Sequence, residues 1–476
     1  MSLHIESNWI DTDETIEVIN KYDGSVIDEV SKATPDDVDD AIAAARDGTE
    51  TMRTMPAYER AEILQTTADL IEERTEEFAK IMAAEAGKPI ETARGEVGRA
   101  VSTFTFSAEE AKRLGGEEIP TDAQPGNGNR IAFTKRYPKG VVGAISPFNF
   151  PLNLVAHKLG PAFAGGNTVI LKPATTTPLT AIKLVETLFD AGLPRDALNL
   201  VNGSGSTVGQ ALLDSDDIDH YTFTGSRSVG KMVTEHSGLA SVSLELGNNS
   251  PVIVHEDADI EDAAERIIDG GFSYAGQMCI SVQRVLAHEE IHDELVEAIV
   301  SRVDELVVGN PLDEETDVGP MIKTADAEKI EEWIQNATEQ GAEVVTGGER
   351  DGSVLQPTVI DNAEQTMDVV CQEAFAPIIA VQTYDDVDDA IRLANDTDYG
   401  LQAGIFTFDH RIGLKAATNI DCGGVMINDI STFRADHQPY GGSKDSGIGR
   451  EGPKYAVHEM TEERVIAFRP NEDLFL

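Results

Sequence analysis

Cys279, Glu245 and Asn149 are the residues of this sequence whose types and settings could do nucleophilic chemistry. Cys279 stands in Gly276-Gln277-Met278-Cys279-Ile280, just after a helical pattern that ends near Ala275. A cysteine attacks as its thiolate, so its free pKa of about 8.5 has to be lowered or a base supplied. Glu245, in Leu244-Glu245-Leu246-Gly247, lies in an apolar strand pattern. Desolvation there would raise its pKa and make it a usable proton acceptor. Taken alone it reads equally as a buried carboxylate held by backbone donors. Asn149, in Pro147-Phe148-Asn149-Phe150-Pro151, follows the end of a strand pattern, where ligands sit in open α/β sheets. Its amide could donate to a developing oxyanion, although by itself it reads first as a turn residue. Two Gly-Ser turns also follow strand patterns: Asn202-Gly203-Ser204-Gly205, and Thr224-Gly225-Ser226-Arg227-Ser228-Val229-Gly230. The second leads into a helix whose free N–H groups would favour a pyrophosphate. It is not G-x-G-x-x-G, and a plain tight turn explains either segment as well.

The elements that must position these residues follow from hydrophobic period. Residues 35–48, 56–86 and 88–114 carry apolar positions at helical spacing, with Thr34 as cap and Pro35 at the first helical position. Gly115-Gly116 and the polar stretch from Thr121 to Asn129 predict an exposed turn or hairpin. From Lys139 onward buried strand patterns (141–145, 168–171, 198–201, 220–223) alternate with helices (152–164 and 178–191 among them), the signature of βαβ units. After about residue 250 a second series begins, with strands at 252–254 and 282–287 and helices over 259–275 and 290–306. The fold class is therefore α/β, with two doubly wound lobes.

Composition bounds the rest. The chain has 476 residues, long enough for two or three domains. No apolar run reaches the ~18 residues of a membrane span, and the N-terminus shows no basic segment followed by an apolar one. A soluble, cytoplasmic protein is expected. Cys279, Cys371 and Cys422 are odd in number and form no CxxC pair, against a disulfide framework or a metal site and in favour of reduced thiols. Lys and Arg number 37 against 85 Asp and Glu, a net charge of −48. That disfavours nucleic acid or an anionic membrane as partner. The acids recur along the chain, as in Asp36-Asp37-Val38-Asp39-Asp40 and Asp385-Asp386-Val387-Asp388-Asp389. Such a surface repels itself at low salt, which points to a high-salt cytoplasm.

Order and spacing make the separate signals specific. PFNFP (147–151), LKPA (171–174), FTGSRSVG (223–230), LELG (244–247), GQMC (276–279), QEAFAP (372–377) and PYGGSKDSGIGREG (439–452) together resemble the aldehyde dehydrogenase superfamily over nearly the whole chain. The resemblance implies a modified Rossmann cofactor domain (1–118 and 139–246) and a catalytic domain (247–459). Oligomerisation elements would lie at 119–138 and 460–476, building a homodimer or homotetramer. It also implies that Cys279 attacks an aldehyde to give a thiohemiacetal and then a thioester. Asn149 and the Cys279 N–H would hold the oxyanion, and Glu245 would activate the hydrolytic water. NAD(P) contacts fall on Ser146, Pro147, Phe148, Lys172, Thr175, Gly205, Gly225, Ser226, Val229, Leu246, Glu373 and Phe375. Within that set Lys172 would bond the adenosine ribose and Glu373 the nicotinamide ribose.

Departures narrow the picture. NAD-preferring members often carry a glutamate three residues after the lysine matching Lys172; here the residue is Thr175. A carboxylate there would repel a 2′-phosphate, so NADP acceptance is slightly favoured over NAD. Gly247-Asn248 replaces a common Gly-Gly. The segments 279–283, 399–404 and 433–442 resemble the lactaldehyde dehydrogenase-like branch, which also resembles non-phosphorylating glyceraldehyde-3-phosphate dehydrogenases. A small hydroxyaldehyde is the first expectation for substrate and an anionic aldehyde the second. An inactive structural homologue is the third, disfavoured because Asn149, Glu245 and Cys279 are all present. Arg434 and His437, with Arg99 and His157 behind them, are the candidates for the substrate channel. For Arg434, anion recognition and a structural ion pair weigh equally.

Overall fold

The computed structural model describes residues 1–469. The helical first third begins at Pro35–Thr54, where Thr34 and Asp37 form a reciprocal capping box. The run expected over 56–86 is two helices, Ala57–Glu73 and Thr75–Ala86, broken at Arg74. The Arg74 side chain is drawn off to Thr187 and Asp190. Apolar period continues through the break, which is why the sequence hides it. A 24-residue helix, Ile90–Arg113, completes the layer.

Strands Val141–Ile145, Thr168–Lys172, Leu198–Leu200, His220–Thr224 and Ser241–Glu245 form the parallel centre of an eight-stranded sheet. Its edges are antiparallel, and one takes the short strand Gly447–Ile448 from late in the chain. Alternation sorts the side chains. Val142 and Ala144 pack under helices Ala57–Glu73, Thr75–Ala86, Ile90–Arg113, Asn153–Gly165 and Pro178–Asp190, while Val141, Tyr221 and Phe223 pack on the opposite face with Val38, Ala41 and Ala45 of helix Pro35–Thr54. Both faces are covered, as a parallel sheet requires.

The second sheet has seven strands: Glu343–Thr346, Thr358–Asp361, Ile378–Tyr384, Arg284–His288, Pro251–Val254, Gln402–Phe406 and Gly424–Ile427, in that spatial order. All pairings are parallel except the first. The helix expected over 259–275 ends at Phe272, and the next residues take another conformation, described below.

A third, three-stranded sheet pairs Thr461–Phe468 with Ile131–Pro138, and the latter with Glu118–Ile119. The polar stretch 121–129 is an exposed connection within it. Of the element expected over 460–476, residues 470–476 lie outside the described residues. Among the described residues no helix is long and apolar enough to cross a membrane.

Candidate active site

Four parallel strands of the first sheet end side by side. Lys172 pairs with Ile145, Ile145 with Phe223, and Thr224 with Glu245. The segments leaving these ends therefore share one rim. From Ile145 the chain runs through Ser146 to Asn149 and into helix Asn153–Gly165. That helix has no side-chain cap of its own. Glu96 supplies one from outside, accepting the Leu152 and Asn153 N–H groups at 2.9 and 3.0 Å. Lys88 pairs with Glu96 and lies 3.7 Å over the Phe150 ring. The loop carrying Asn149 is thus clamped by a buried ion pair on the neighbouring helical layer.

Cys279 arrives from the second lobe. Tyr274, Ala275 and Gly276 have φ of 51°, 52° and 65°, three successive left-handed residues. For Tyr and Ala this conformation costs of order 1–3 kcal/mol each and has to be held by tertiary contacts. Tyr274 is held by its hydroxyl on Ala86 O at 2.9 Å. At Gly276 a Cβ would lie 2.1 Å from Ala376 O. This turn swings the chain across the first sheet's rim, and Asn149 Nδ2 donates to Gln277 O at 2.9 Å. A second loop of the same lobe brings Glu373 and Phe375, the latter with φ of 53°. Glu373 accepts the Asn248 N–H at 3.0 Å, and a Cβ on Gly247 would meet its carboxylate at 2.3 Å. Asn248 itself turns to Ser250 Oγ at 2.6 Å, so the departure at this position ties the local turn.

A cavity of about 430 Å3 lies between the loops. Cys279, Glu245 and Asn149 line it together, with Ser146, Pro147, Phe148, Gly225, Ser226, Leu246, Glu373 and Phe375. Phe148 and Phe375 meet edge to face at 5.7 Å. The remaining residues expected at a cofactor do not line it. Lys172 is buried and donates to Pro173 O at 3.1 Å; burial lowers its pKa to about 8. Thr175 Oγ1 donates to Gly203 O at 2.8 Å. Gly205 opens a π-helical turn, Gly205–Gly209, and Val229 is exposed on helix Arg227–His236. Ser146 Oγ and Glu245 Oε2 are buried without a protein partner. Unmet polar atoms on a cavity wall fit a polar ligand such as a dinucleotide.

Electrostatics separate the two reactive groups. Burial, then the nearby Glu451 charge, holds Glu245 well above the usual carboxylate range. Burial pushes the Cys279 thiol up to about 12, opposed by a hydrogen bond from Tyr440 and by the Arg434 charge. Burial raises Glu373 to about 7.

The expected substrate residues are placed differently. Arg434 does not stand free at a channel mouth. It is buried, pairs with Glu451 at 3.0 Å and lies 3.6 Å over the Tyr440 ring. A guanidinium this deep needs a counterion, and the ion-pair reading of Arg434 applies. His157 is also buried, with Nε2 3.0 Å from Asp436 and 3.1 Å from Arg434 Nη2. His437 packs against Phe106, with ring centroids 4.8 Å apart and the planes tilted by 43°. Arg99 forks onto Asp436 but stays about 31% exposed beside Phe150. None of the four lines the cavity. Sequence reasoning missed Tyr440, Glu451, Lys158 and Lys329. Tyr440 and Glu451 sat inside the 439–452 motif, which carried a signal. Lys158, buried on Glu451 and Thr224, and Lys329, on the cavity wall, carried none.

A model of the aldehyde dehydrogenase family matches residues 9–466. The chain belongs to that family. It is 51% identical over 464 residues to the 3-sulfolactaldehyde dehydrogenase of Priestia aryabhattai, covering 98% of this chain and 97% of the relative. It is 41% identical to the lactaldehyde dehydrogenase of Methanocaldococcus jannaschii, covering 98% and 99%. The fold matches the glyceraldehyde-3-phosphate dehydrogenase GapN of Methanocaldococcus jannaschii, solved with NADP, at a TM-score of 0.93 and 40% identity, covering 96% of this chain and all of that one. These relatives fall in the branch that the sequence motifs resemble, and the enzyme is an aldehyde dehydrogenase of the expected α/β fold.

Proposed function

We propose that this NAD(P)-dependent aldehyde dehydrogenase oxidises a small hydroxyaldehyde of the lactaldehyde type to its carboxylic acid. The observation that carries the reading is the convergence of Cys279, Asn149 and Glu245 on one cavity wall from two lobes. Cys279 attacks the aldehyde carbon, forming a C–S bond. The developing oxyanion takes hydrogen bonds from Asn149 Nδ2 and the Cys279 N–H. A bound nicotinamide supplies the hydride acceptor, and a thioester remains on Cys279. Glu245, kept protonatable by burial, takes a proton from the water that attacks the thioester and releases the acid. Glu373 and the turn at Gly225 and Ser226 would hold the dinucleotide, with Lys172 and Thr175 toward its adenosine. The first lobe is read as the cofactor domain and 247–459 as the catalytic domain.

Thr175 brings no carboxylate to the adenosine end, so NADP is accepted beside NAD. Thr175→Glu should shift kcat/KM toward NAD; an unchanged ratio would refute the assignment. A second reading, an anionic aldehyde, is supported by Arg99, which keeps a solvent-open edge beside Phe150, and by the 3-sulfolactaldehyde relative. Initial rates on lactaldehyde, 3-sulfolactaldehyde, glyceraldehyde 3-phosphate and propanal, with each cofactor, separate the two. Arg99→Ala should then lose rate on the anionic aldehydes alone.

Among the described residues the strand Thr461–Phe468 is the outer strand of its sheet, with Val465 and Phe468 exposed, and pairing there builds a homo-oligomer. Light scattering tests it. The charge of −48 suits a high-salt cytoplasm. Thermal stability should rise from low to molar KCl, as screening shortens to ~3 Å; a flat or falling curve overturns this. The three free thiols agree with a reducing, cytoplasmic location.

A further inference from the structure

We infer that Tyr440 is an additional catalytic residue, whose phenol O–H donates to the Cys279 sulfur and stabilises the thiolate before it attacks. The inference rests on Cys279 being the nucleophile. Tyr440 Oη lies 3.0 Å from Cys279 Sγ, and the ring is 3% exposed. In the resting thiol either atom can be the donor. Once Sγ has lost its proton it can only accept, so the ionised state fixes the direction of this bond.

The ring has little freedom. Tyr440 N donates to Glu451 O at 3.2 Å, and Glu451 N donates back to Tyr440 O at 2.6 Å. The Glu451 carboxylate pairs with Arg434, whose guanidinium lies 3.6 Å over the Tyr440 ring. One residue thus holds both the tyrosine backbone and the cation above its ring. A cation on that face draws electron density from the phenol and makes its O–H a stronger donor. Burial and the adjacent thiol hold the phenol well above its usual range, so it keeps its proton while the enzyme works.

The demand for such a donor is plain in the surroundings. Burial opposes the Cys279 thiolate, and so do the Glu245 and Glu373 charges. Tyr440 and Arg434 are the groups that favour it. A charge-assisted hydrogen bond of ordinary strength raises the thiolate population about tenfold. The thiol proton leaves to solvent before the attack; Sγ then forms the C–S bond, the carbonyl electron pair moves to oxygen, and Tyr440 keeps its proton throughout.

Tyr440→Phe retains the ring and its cation contact and deletes only the donor. The readout is the second-order rate of alkylation by iodoacetamide from neutral to alkaline pH, with the labelled residue mapped by mass spectrometry. Thiol nucleophilicity falls as its pKa falls, with a coefficient of ~0.4–0.5, so a tenfold loss of thiolate gives about a threefold slower reaction at neutral pH. Replacement of Tyr440 by 3-fluorotyrosine, a stronger donor, should move the neutral-pH rate the opposite way. Unfolding temperature and NADP affinity should not move with either change. Profiles that coincide for wild type and Tyr440→Phe overturn the inference. If Tyr440→Phe does not fold, a 3-fluorotyrosine rate equal to wild type overturns it instead. Labelling that inactivates the enzyme at a residue other than Cys279 would instead defeat the nucleophile assignment beneath it.

Discussion

The two sheets feed the cavity with opposite polarity. The first offers the carboxyl ends of its strands: Glu245 ends one, and Asn149 and Gly225 follow others closely. The second offers the segments that enter its strands: Leu246 to Asn248 precede Pro251–Val254, Cys279 precedes Arg284–His288, and Glu373 to Phe375 precede Ile378–Tyr384. The first rim follows from regular backbone and the register of adjacent strands. The second depends on left-handed residues at Tyr274, Ala275, Gly276 and Phe375. A ladder of strand hydrogen bonds places the groups of the first lobe, whereas strained turns held by tertiary contacts, Tyr274 on Ala86 O and Gly276 against Ala376 O among them, place those of the second.

The largest test of this contrast removes what the second lobe delivers. Cys279→Ala should lower kcat by at least ~10⁴-fold while leaving NADP affinity nearly intact, because the dinucleotide residues lie mainly on the other rim. Substantial turnover would remove the central claim. Glu245→Gln, on the first rim, should cost about 10²–10⁴ in steady-state kcat yet leave a burst of reduced cofactor equal to the enzyme. The carboxylate accepts a proton only when ionised and its pKa is raised. Wild-type kcat should therefore climb with pH through that raised value and fall toward acid; the variant should lose this acid limb. Asn149→Ala should cost about 10²–10³ in acylation, read by single-turnover absorbance. Equal burst rates in wild type and variant would show that Asn149 only fixes the turn with Gln277.

Smaller effects separate the two kinds of positioning. Gly276→Ala forces a Cβ against Ala376 O at a positive φ, and should cost ~1–3 kcal/mol in thermal unfolding as well as activity. Gly98→Ala, in the middle of helix Ile90–Arg113 with open space at its Cβ, should gain about 0.5–1 kcal/mol. If both changes were neutral, the strained turn would not be what presents Cys279.

Much of the first lobe could be read in advance because its information is local. Strand 141–145 and the Thr34 cap emerge as expected, since a short continuous apolar run and capping chemistry depend on near neighbours. Arg434 shows the limit. Its residue type allowed anion recognition or an ion pair, and the choice turns on Glu451, seventeen residues on, which folds back beneath it. Tyr440 is similar: the motif around it was visible, but its 3.0 Å approach to Cys279 joins residues 161 apart in the chain. The end of the helix at Phe272 was invisible because the next residues, Tyr274 and Ala275, are ordinary helix-compatible types held left-handed by other parts of the molecule.

By itself the sequence determined the α/β class, the acidic composition and, through the order of its motifs, the family and the three candidates for reactive residues. Those properties follow from period, composition and residue type along the chain. Only the tertiary structure decided that Glu245 faces an unsatisfied cavity wall, that Arg434 is spent on Glu451 and that Tyr440 meets the thiol. Burial and hydrogen bonding between distant segments set those features, and both depend on which surfaces close on each other.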